Sequence, residues 1–116
     1  MFRDSPLTFD CQAGKAPGTR IFRVAGPLTL GNMFELQSAL RQDPTPPLTI
    51  LDLSGVPYMD SAGMGAIVNC HVHCQKQGAV LTIAGVNSRV MELFTMTQAT
   101  QILKLKDTVE AAEAEA

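Results

Sequence analysis

Ser61, in the stretch Met59-Asp60-Ser61, carries a hydroxyl between an apolar run and a helical pattern, at the end of the tight loop that joins them. Asp60 or Ser61 is a natural helix N-cap, because a short side-chain oxygen accepts a hydrogen bond from the free amides of the first turn. Those amides and the helix dipole also favour negative charge. Gly63 and Gly65 leave little bulk around the hydroxyl. A phosphate on Ser61 would therefore be stabilised here, although capping alone is the commoner use of such a serine.

Two cysteines and two histidines form a second group whose residue types could do chemistry: Cys70, His71, His73 and Cys74. The cysteines are one helical turn apart, and zinc accepts both residue types. A closed zinc site needs four ligands, however, and His71 and His73 project in well-separated directions from a helix. Cysteine is also a small core residue in its own right. We therefore expect no metal at this cluster.

A serine hydrolase would need a base and an orienting acid within reach of the nucleophile. Ser61 could be that nucleophile, with Asp52 or Asp60 as the acid, but both histidines follow it on the same helix, ten and twelve positions later. At about 1.5 Å per residue, they lie roughly 15 Å or more from Ser61. The chain also lacks a P-loop and a Gly-x-Gly-x-x-Gly pattern. We predict that the protein is not an enzyme and needs no cofactor.

The elements that must position Ser61 are readable on either side of it. Leu48 to Leu53 is a short apolar run, bounded by Pro46-Pro47 and Ser54-Gly55, and it suits a strand covered on both faces. Beyond Ser61, apolar residues at helical spacing form a stripe that can face a sheet, and Gly78 is the expected helix stop. The pattern predicts a strand, a tight loop and a helix that begins within two residues of Ser61.

The rest of the chain also alternates between strand and helix patterns. The predicted elements are a strand Leu7 to Cys11, a turn Ala13 to Gly18, a strand Thr19 to Ala25, a helix from Gly31 or Asn32 through Leu40, a break at Asp43 to Pro47, a strand Ala79 to Val86, a helix capped by Asn87 or Ser88, and an edge strand Gln101 to Lys106. The first two strands should be antiparallel, because only a short loop joins them. Successive βα units imply a mainly parallel sheet. We predict an α/β fold of order ββαβαβαβα, with the second sheet face thinly covered.

The chain of 116 residues is expected to form one domain, 1–116, with a core of about 7–109. The segment Thr108 to Ala116 has strong helix formers but little apolar surface to anchor it, so its last part, in the acidic tail 110–116, should fray. A net charge of −2 provides no general attraction to nucleic acid or to an anionic membrane. No apolar run reaches the roughly 18 residues of a membrane span, and the N-terminus lacks the apolar core of a signal peptide. The chain is expected to be soluble and cytoplasmic.

Four methionines, Met59, Met64, Met91 and Met96, allow two interpretations. The first is that they fill the core, where methionine adapts to irregular gaps, and the second is that they form an exposed docking patch. We expect Met64 and Met91 in the core. For Met59, which immediately precedes Asp60, both interpretations stay open.

The segment Asp52 to Gly65, DLSGVPYMDSAGMG, closely resembles the signature of the STAS domain, and in particular that of the bacterial anti-sigma factor antagonists. The family pattern is roughly Asp-Leu-Ser-x-Val-x-Phe-Met-Asp-Ser-Ser/Thr-Gly-Leu-Gly. The predicted order of strands and helices fits from about Leu7 to Val109. The segment Val86 to Phe94 also resembles the family's third helix.

The resemblance implies a phosphorylation-switched binding protein. In that family the serine after the motif aspartate, Ser61 by position, is phosphorylated by a serine kinase that is also the anti-sigma factor. The unphosphorylated antagonist binds the kinase and frees the sigma factor for transcription, phosphorylation ends the binding, and a serine phosphatase resets it. The implied partner surface consists of Thr29, Met59, Asp60, Ser61, Ala62, Gly63 and Met64.

Two departures from the family pattern bear on the partner. Many members have Gly-Glu-Leu-Asp after the second strand, where this chain has Gly26-Pro27-Leu28-Thr29, so Thr29 replaces an acid. A Gly-Pro-Leu opening also resembles STAS domains attached to sulfate transporters. Ala62 follows Ser61 where the family often has Ser or Thr. The alternative is therefore a STAS module that scaffolds or senses a ligand without being phosphorylated.

Overall fold

The computed structural model describes residues 7–41 and 44–115, and within them five strands form one sheet in the order β1-β2-β3-β4-β5. The elements are β1 (Thr8–Ala13), β2 (Thr19–Ala25), α1 (Met33–Leu40), β3 (Leu48–Gly55), α2 (Ser61–Lys76), β4 (Val80–Ala84), α3 (Ser88–Met96), a 3₁₀ helix (Ala99–Gln101), β5 (Lys104–Lys106) and α4 (Val109–Ala114). Strand β1 is antiparallel to β2, and all other neighbouring pairs are parallel. The predicted α/β fold with a mainly parallel sheet is confirmed.

The helix boundaries follow local signals that the sequence displays. Asp60 and Asn87 cap α2 and α3 through their side chains, because a carboxylate or amide oxygen can accept a bond from a free first-turn amide. Gly78 follows α2 with φ of +71°, a left-handed conformation that favours glycine. The predicted break at Asp43 to Pro47 lies partly outside the described residues, and from 44 to 47 the chain is neither helix nor strand.

Two predicted boundaries were wrong. Strand β1 runs on to Ala13, two residues past the predicted end, since its pairing with β2 continues to the register Ala13–Arg20. Strand β5 begins at Lys104 instead of Gln101. A 3₁₀ turn intervenes because the amides of Ile102 and Leu103 bond back to the carbonyl of Ala99, which delays the return of the chain to the sheet.

The first face of the sheet is covered by α1, α2 and α3. Leu36, Ile67 and Phe94, one from each helix, are fully buried. They belong to one apolar cluster with the sheet residues Leu51 and Ile83. The three helices therefore lie side by side on this face, each burying its apolar stripe against the strands.

The second face of the sheet is covered by the short helix α4 alone among the described helices. Val109 and Ala112 of α4 are buried against Ile21, Ile50 and Ala84 in a smaller apolar cluster. The predicted thin cover of this face is therefore observed.

Helix α4 is also fastened at its polar positions. Glu113 accepts a hydrogen bond from the backbone amide of Lys15 at 2.8 Å, and Glu115 forms an ion pair with Lys106. The small apolar surface of this segment is buried, since Ala112 is only 4% exposed. Fraying of its last part stays a prediction.

Candidate functional site

Ser61 is the first residue of α2 and is exposed to solvent. It follows directly on Asp60, whose backbone is extended (φ −102°, ψ −177°) and whose Oδ1 accepts a hydrogen bond from the amide of Gly63 at 2.9 Å. The helix therefore begins where the sequence predicted, and Asp60, not Ser61, is the cap. The Ser61 hydroxyl is left available at the positive end of the helix dipole.

The second carboxylate oxygen of Asp60 holds a neighbouring loop. Its Oδ2 accepts a hydrogen bond from the amide of Leu30 at 3.0 Å. The Asp60 amide in turn donates to the carbonyl of Leu28 at 3.2 Å, and the Leu28 amide donates to the carbonyl of Tyr58 at 3.1 Å. The segment 28–30 is thus paired with the segment 58–60 that leads into Ser61.

Gly63 makes this close approach possible. A Cβ at this position would lie 2.5 Å from the carbonyl oxygen of Leu28, well inside van der Waals contact. By contrast, a Cβ at Gly65 would meet nothing within 4 Å. From the sequence, both glycines were expected to leave room around the Ser61 hydroxyl. In the structure, Gly63 is needed instead for the packing of the segment 28–30 against α2.

The residues predicted to surround Ser61 fall into three groups by exposure. Asp60 and Ser61 are exposed, Thr29 and Ala62 are half-buried, and Met59, Gly63 and Met64 are buried. Met59 is 9% exposed and belongs to the main core, which decides between its two interpretations in favour of core filling. The three buried residues pack beneath the exposed ones, and the contact of all seven with a partner stays a prediction.

The start of α3 lies against the same loop from the other side. The amide nitrogen Nδ2 of Asn87 donates to the carbonyls of Val56 and Pro57 at 3.2 and 3.1 Å. The guanidinium of Arg89 stands 5.1 Å from the centre of the Tyr58 ring, within cation–π range. Sequence reasoning missed this contact, because nothing local links residues 31 positions apart.

Two exposed apolar residues near the site were also missed. Leu30 and Phe34 are each 66% exposed. Leu30 lies between the predicted strand Thr19 to Ala25 and the predicted helix, and Phe34 lies within that helix, so the sequence did not indicate that either would be exposed. One signal was available for Phe34: it is apolar, but it lies off the sheet-facing stripe of α1, on which Leu36 is buried.

Comparison with known proteins identifies the fold family. The family model described as "STAS domain" matches residues 10–112. The chain belongs to the STAS domain family.

One curated relative and two solved structures illustrate the similarity of this STAS domain to other proteins. It is 32% identical over 57 residues to the anti-sigma-B factor antagonist of Listeria monocytogenes, a match that covers 49% of this chain and 50% of that protein. This match spans about half the length of the relative. A sulfate transporter family protein from Wolinella succinogenes superposes with a TM-score of 0.78 at 27% identity, over 86% of this chain and 85% of that chain.

The second structure is the Bacillus cell fate determinant SpoIIAA in its phosphorylated form. It superposes on this STAS domain with a TM-score of 0.70 at 12% identity, over 94% of this chain and 100% of that chain. At this identity the superposition shows a shared fold.

The two cysteines of α2, Cys70 and Cys74, face the interior of this STAS domain. Burial, followed by the neighbouring Cys74, raises the pKa of the Cys70 thiol from 9.0 to about 11, and burial also raises the pKa of Cys74. Zinc requires thiolates, which such an environment disfavours. Within 7–41 and 44–115, no group of three or more His, Cys, Asp or Glu residues could hold a metal ion. The absence of metal from the native protein stays a prediction.

A cavity of about 20 Å³ adjoins these thiols, between α1 and α2. That volume suffices for about one water molecule. Both histidines are on α2, far along the helix from Ser61, and the Nδ1 atom of His71 is buried without a hydrogen-bond partner in the described part of the chain.

None of the described helices is long and apolar enough to cross a membrane.

Proposed function

We propose that this STAS domain is an anti-sigma factor antagonist, which binds an anti-sigma factor serine kinase and is released when Ser61 is phosphorylated, so that sigma-factor-dependent transcription follows the phosphorylation state. The observation that carries the proposal is the exposed Ser61 hydroxyl at the first residue of α2, next to a capping aspartate. The name of the Listeria monocytogenes relative, anti-sigma-B factor antagonist, supports the partner. The phosphorylated form of SpoIIAA supports the modification.

Phosphorylation would transfer the γ-phosphoryl group of ATP to Ser61. The Ser61 Oγ bonds to the γ-phosphorus of ATP while the bond to the β,γ-bridging oxygen breaks. ADP leaves, and the hydroxyl proton passes to a base of the kinase. The domain itself supplies the nucleophile and its position, and the kinase supplies the catalysis.

The location of Ser61 explains why a phosphate would act on binding and not on folding. It adds about −1.5 to −2 charges near neutral pH, and the helix dipole offsets part of this charge. In a complex, however, the phosphate would have to lose its water against a surface shaped for a hydroxyl, which is costly. The free-energy penalty therefore falls on the complex.

The test is phosphorylation by purified serine kinases of the anti-sigma factor type from the same organism, each mixed with the chain and ATP. We expect one phosphate, located on Ser61 by mass spectrometry, and none on Ser61→Ala. A serine phosphatase should remove the phosphate and restore kinase binding. Phosphate at another residue, or none with every kinase, would contradict the proposal.

A second function is a STAS module that binds a partner or ligand without phosphorylation. The superposition on a sulfate transporter family protein at 27% identity favours it, as does Thr29 in the place of the family's acidic residue. In that case a binding partner would be found whose affinity for the chain does not change between the parent and Ser61→Asp.

A further inference from the structure

Three helices begin side by side at one edge of the sheet. Helices α1, α2 and α3 follow the parallel neighbours β2, β3 and β4, so their N-termini meet at the carboxyl edge of these strands. Ser61, at the start of α2, is therefore flanked by the start of α1 on one side and the start of α3 on the other. The two flanks differ in chemistry.

The α1 flank is apolar. Leu30 and Phe34 are each 66% exposed. Leu30 lies in the turn that precedes α1, and Phe34 is the second residue of α1; the amide of Met33 closes this turn on the carbonyl of Thr29 at 2.9 Å. Scattered exposed apolar residues are ordinary, but this pair is held at the site by the Leu30–Asp60 hydrogen bond.

The α3 flank carries a cation. Arg89 is the only lysine or arginine in the segments 28–34, 58–64 and 87–90. It forms no ion pair with the described residues, and its guanidinium rests over the Tyr58 ring instead. Asn87 fastens the start of α3 to the loop that leads to Ser61, so the cation is kept beside the site.

We infer that Leu30 and Phe34 form the apolar anchor, and Arg89 the charged end, of the surface on which the serine kinase docks. The inference rests on the proposed function and gives the chemistry of its partner: an apolar cleft that takes the pair and a carboxylate that meets Arg89. A kinase that aligns the γ-phosphate of ATP with the Ser61 hydroxyl must cover the surface next to it. Because the two flanks differ, this surface also fixes the orientation of the kinase.

The apolar anchor is tested with Leu30→Ser and Phe34→Ser. The matched control is Met96→Ser, which removes a 75% exposed apolar side chain at the far end of α3. The probe is the kinase that phosphorylates Ser61, and titration calorimetry and single-turnover phosphorylation are the readouts. We expect Kd to rise about tenfold or more for each anchor variant, since exposed residues at a docking centre carry much of the affinity, and to stay within about twofold for the control, with unchanged melting temperatures in all three.

The charged end is tested with Arg89→Gln against Lys76→Gln. Lys76 is an exposed cation in the last turn of α2, at the opposite edge of the sheet. We expect Arg89→Gln to weaken binding roughly threefold to tenfold at low salt and to flatten the dependence of Kd on ionic strength, because a screened attraction has been removed. Lys76→Gln should leave both unchanged.

The outcomes separate this inference from the proposed function. If the parent chain is bound and phosphorylated but the anchor variants and Arg89→Gln behave like their controls, the docking surface is wrong and the proposed function stands. If no kinase binds or modifies the parent chain, the proposed function fails and the docking surface fails with it.

Discussion

Helix α2 carries an exposed hydroxyl at its first residue and two buried thiols in its second half. Ser61 faces solvent, whereas Cys70 and Cys74 are 9% and 7% exposed. Both groups attract attention by residue type, yet their environments are opposite. A group in the first turn meets free amides and water, while a group on the sheet-facing stripe meets apolar side chains. Position on the helix, more than residue type, decides which of the two can react.

The strongest test of this contrast places a carboxylate at each of the two positions, Cys70 and Ser61. Cys70→Asp places a carboxylate among buried apolar side chains, and its desolvation costs about 3–5 kcal/mol, even though Arg41 is close enough to favour negative charge at this position. We expect its melting temperature to fall by more than about 10 °C. Ser61→Asp, with the charge at an exposed helix N-terminus, should stay within a few degrees of the parent in the same calorimetric scans. Similar losses in both variants would refute the contrast.

The next prediction concerns binding at the exposed end. Ser61→Asp should weaken kinase binding by about 100-fold, equivalent to about 2.7 kcal/mol, because a charge must be desolvated in the complex. Ser61→Ala should bind like the parent and resist phosphorylation. Titration of both folded variants against the kinase measures this, and unaltered affinity for Ser61→Asp would end the switch mechanism.

The two glycines at the start of α2 provide a smaller, opposed pair of effects. Gly63→Ala should destabilise the domain by about 1–3 kcal/mol, because the new methyl meets the Leu28 carbonyl oxygen at 2.5 Å. Gly65→Ala should stabilise it by about 0.5–1 kcal/mol, because the methyl has open space and the helix interior disfavours glycine. Urea unfolding compares them, and a stable Gly63→Ala would show that the 28–30 loop yields readily.

The smallest effect is the pH dependence at the buried end. The raised pKa of Cys70, about 11 against an ordinary 9.0, means that the folded protein holds this proton more tightly than the unfolded chain. Its contribution to stability is complete below pH 9 and is lost as the pH rises from 9 to about 11. Between about pH 8 and about pH 9.7, the free energy of unfolding should fall by about 1 kcal/mol more in the parent than in Cys70→Ala. Equal slopes would mean that the thiol is better solvated than its burial indicates.

The parts of the site that sequence could predict are those with local causes. The cap at Asp60 and the stop at Gly78 each depend on a few adjacent residues, and the sheet-facing stripe of α2 depends on its periodicity. The burial of Met59 could not be predicted, because both of its interpretations agreed with the local sequence. The Arg89–Tyr58 contact and the Asp60–Leu30 bond join distant segments, so they follow only from the packed fold.

The same limit explains the wrong start of β5 and the unforeseen anchoring of α4. The late start of β5 depends on how the 3₁₀ turn after α3 packs, and the anchoring of α4 depends on which face of the sheet is left open. Ala112 has little apolar area of its own, but it lies against Ile50 and Ala84 of the sheet. Propensity within 108–116 predicted helix and carried no information about this neighbour.

The position of α4 also bears on the order in which the chain can fold during synthesis. The hydrogen bond from Lys15 to Glu113 closes a loop of 98 residues, and the apolar cluster that α4 completes joins it to β2, β3 and β4. Contacts of such long sequence separation form slowly, since a large loop must close first. The five strands and the three helices that cover the first face of the sheet can assemble as they leave the ribosome. The other side of the sheet stays open to water, and to any chaperone that binds apolar strands, until residues 109–114 have been made.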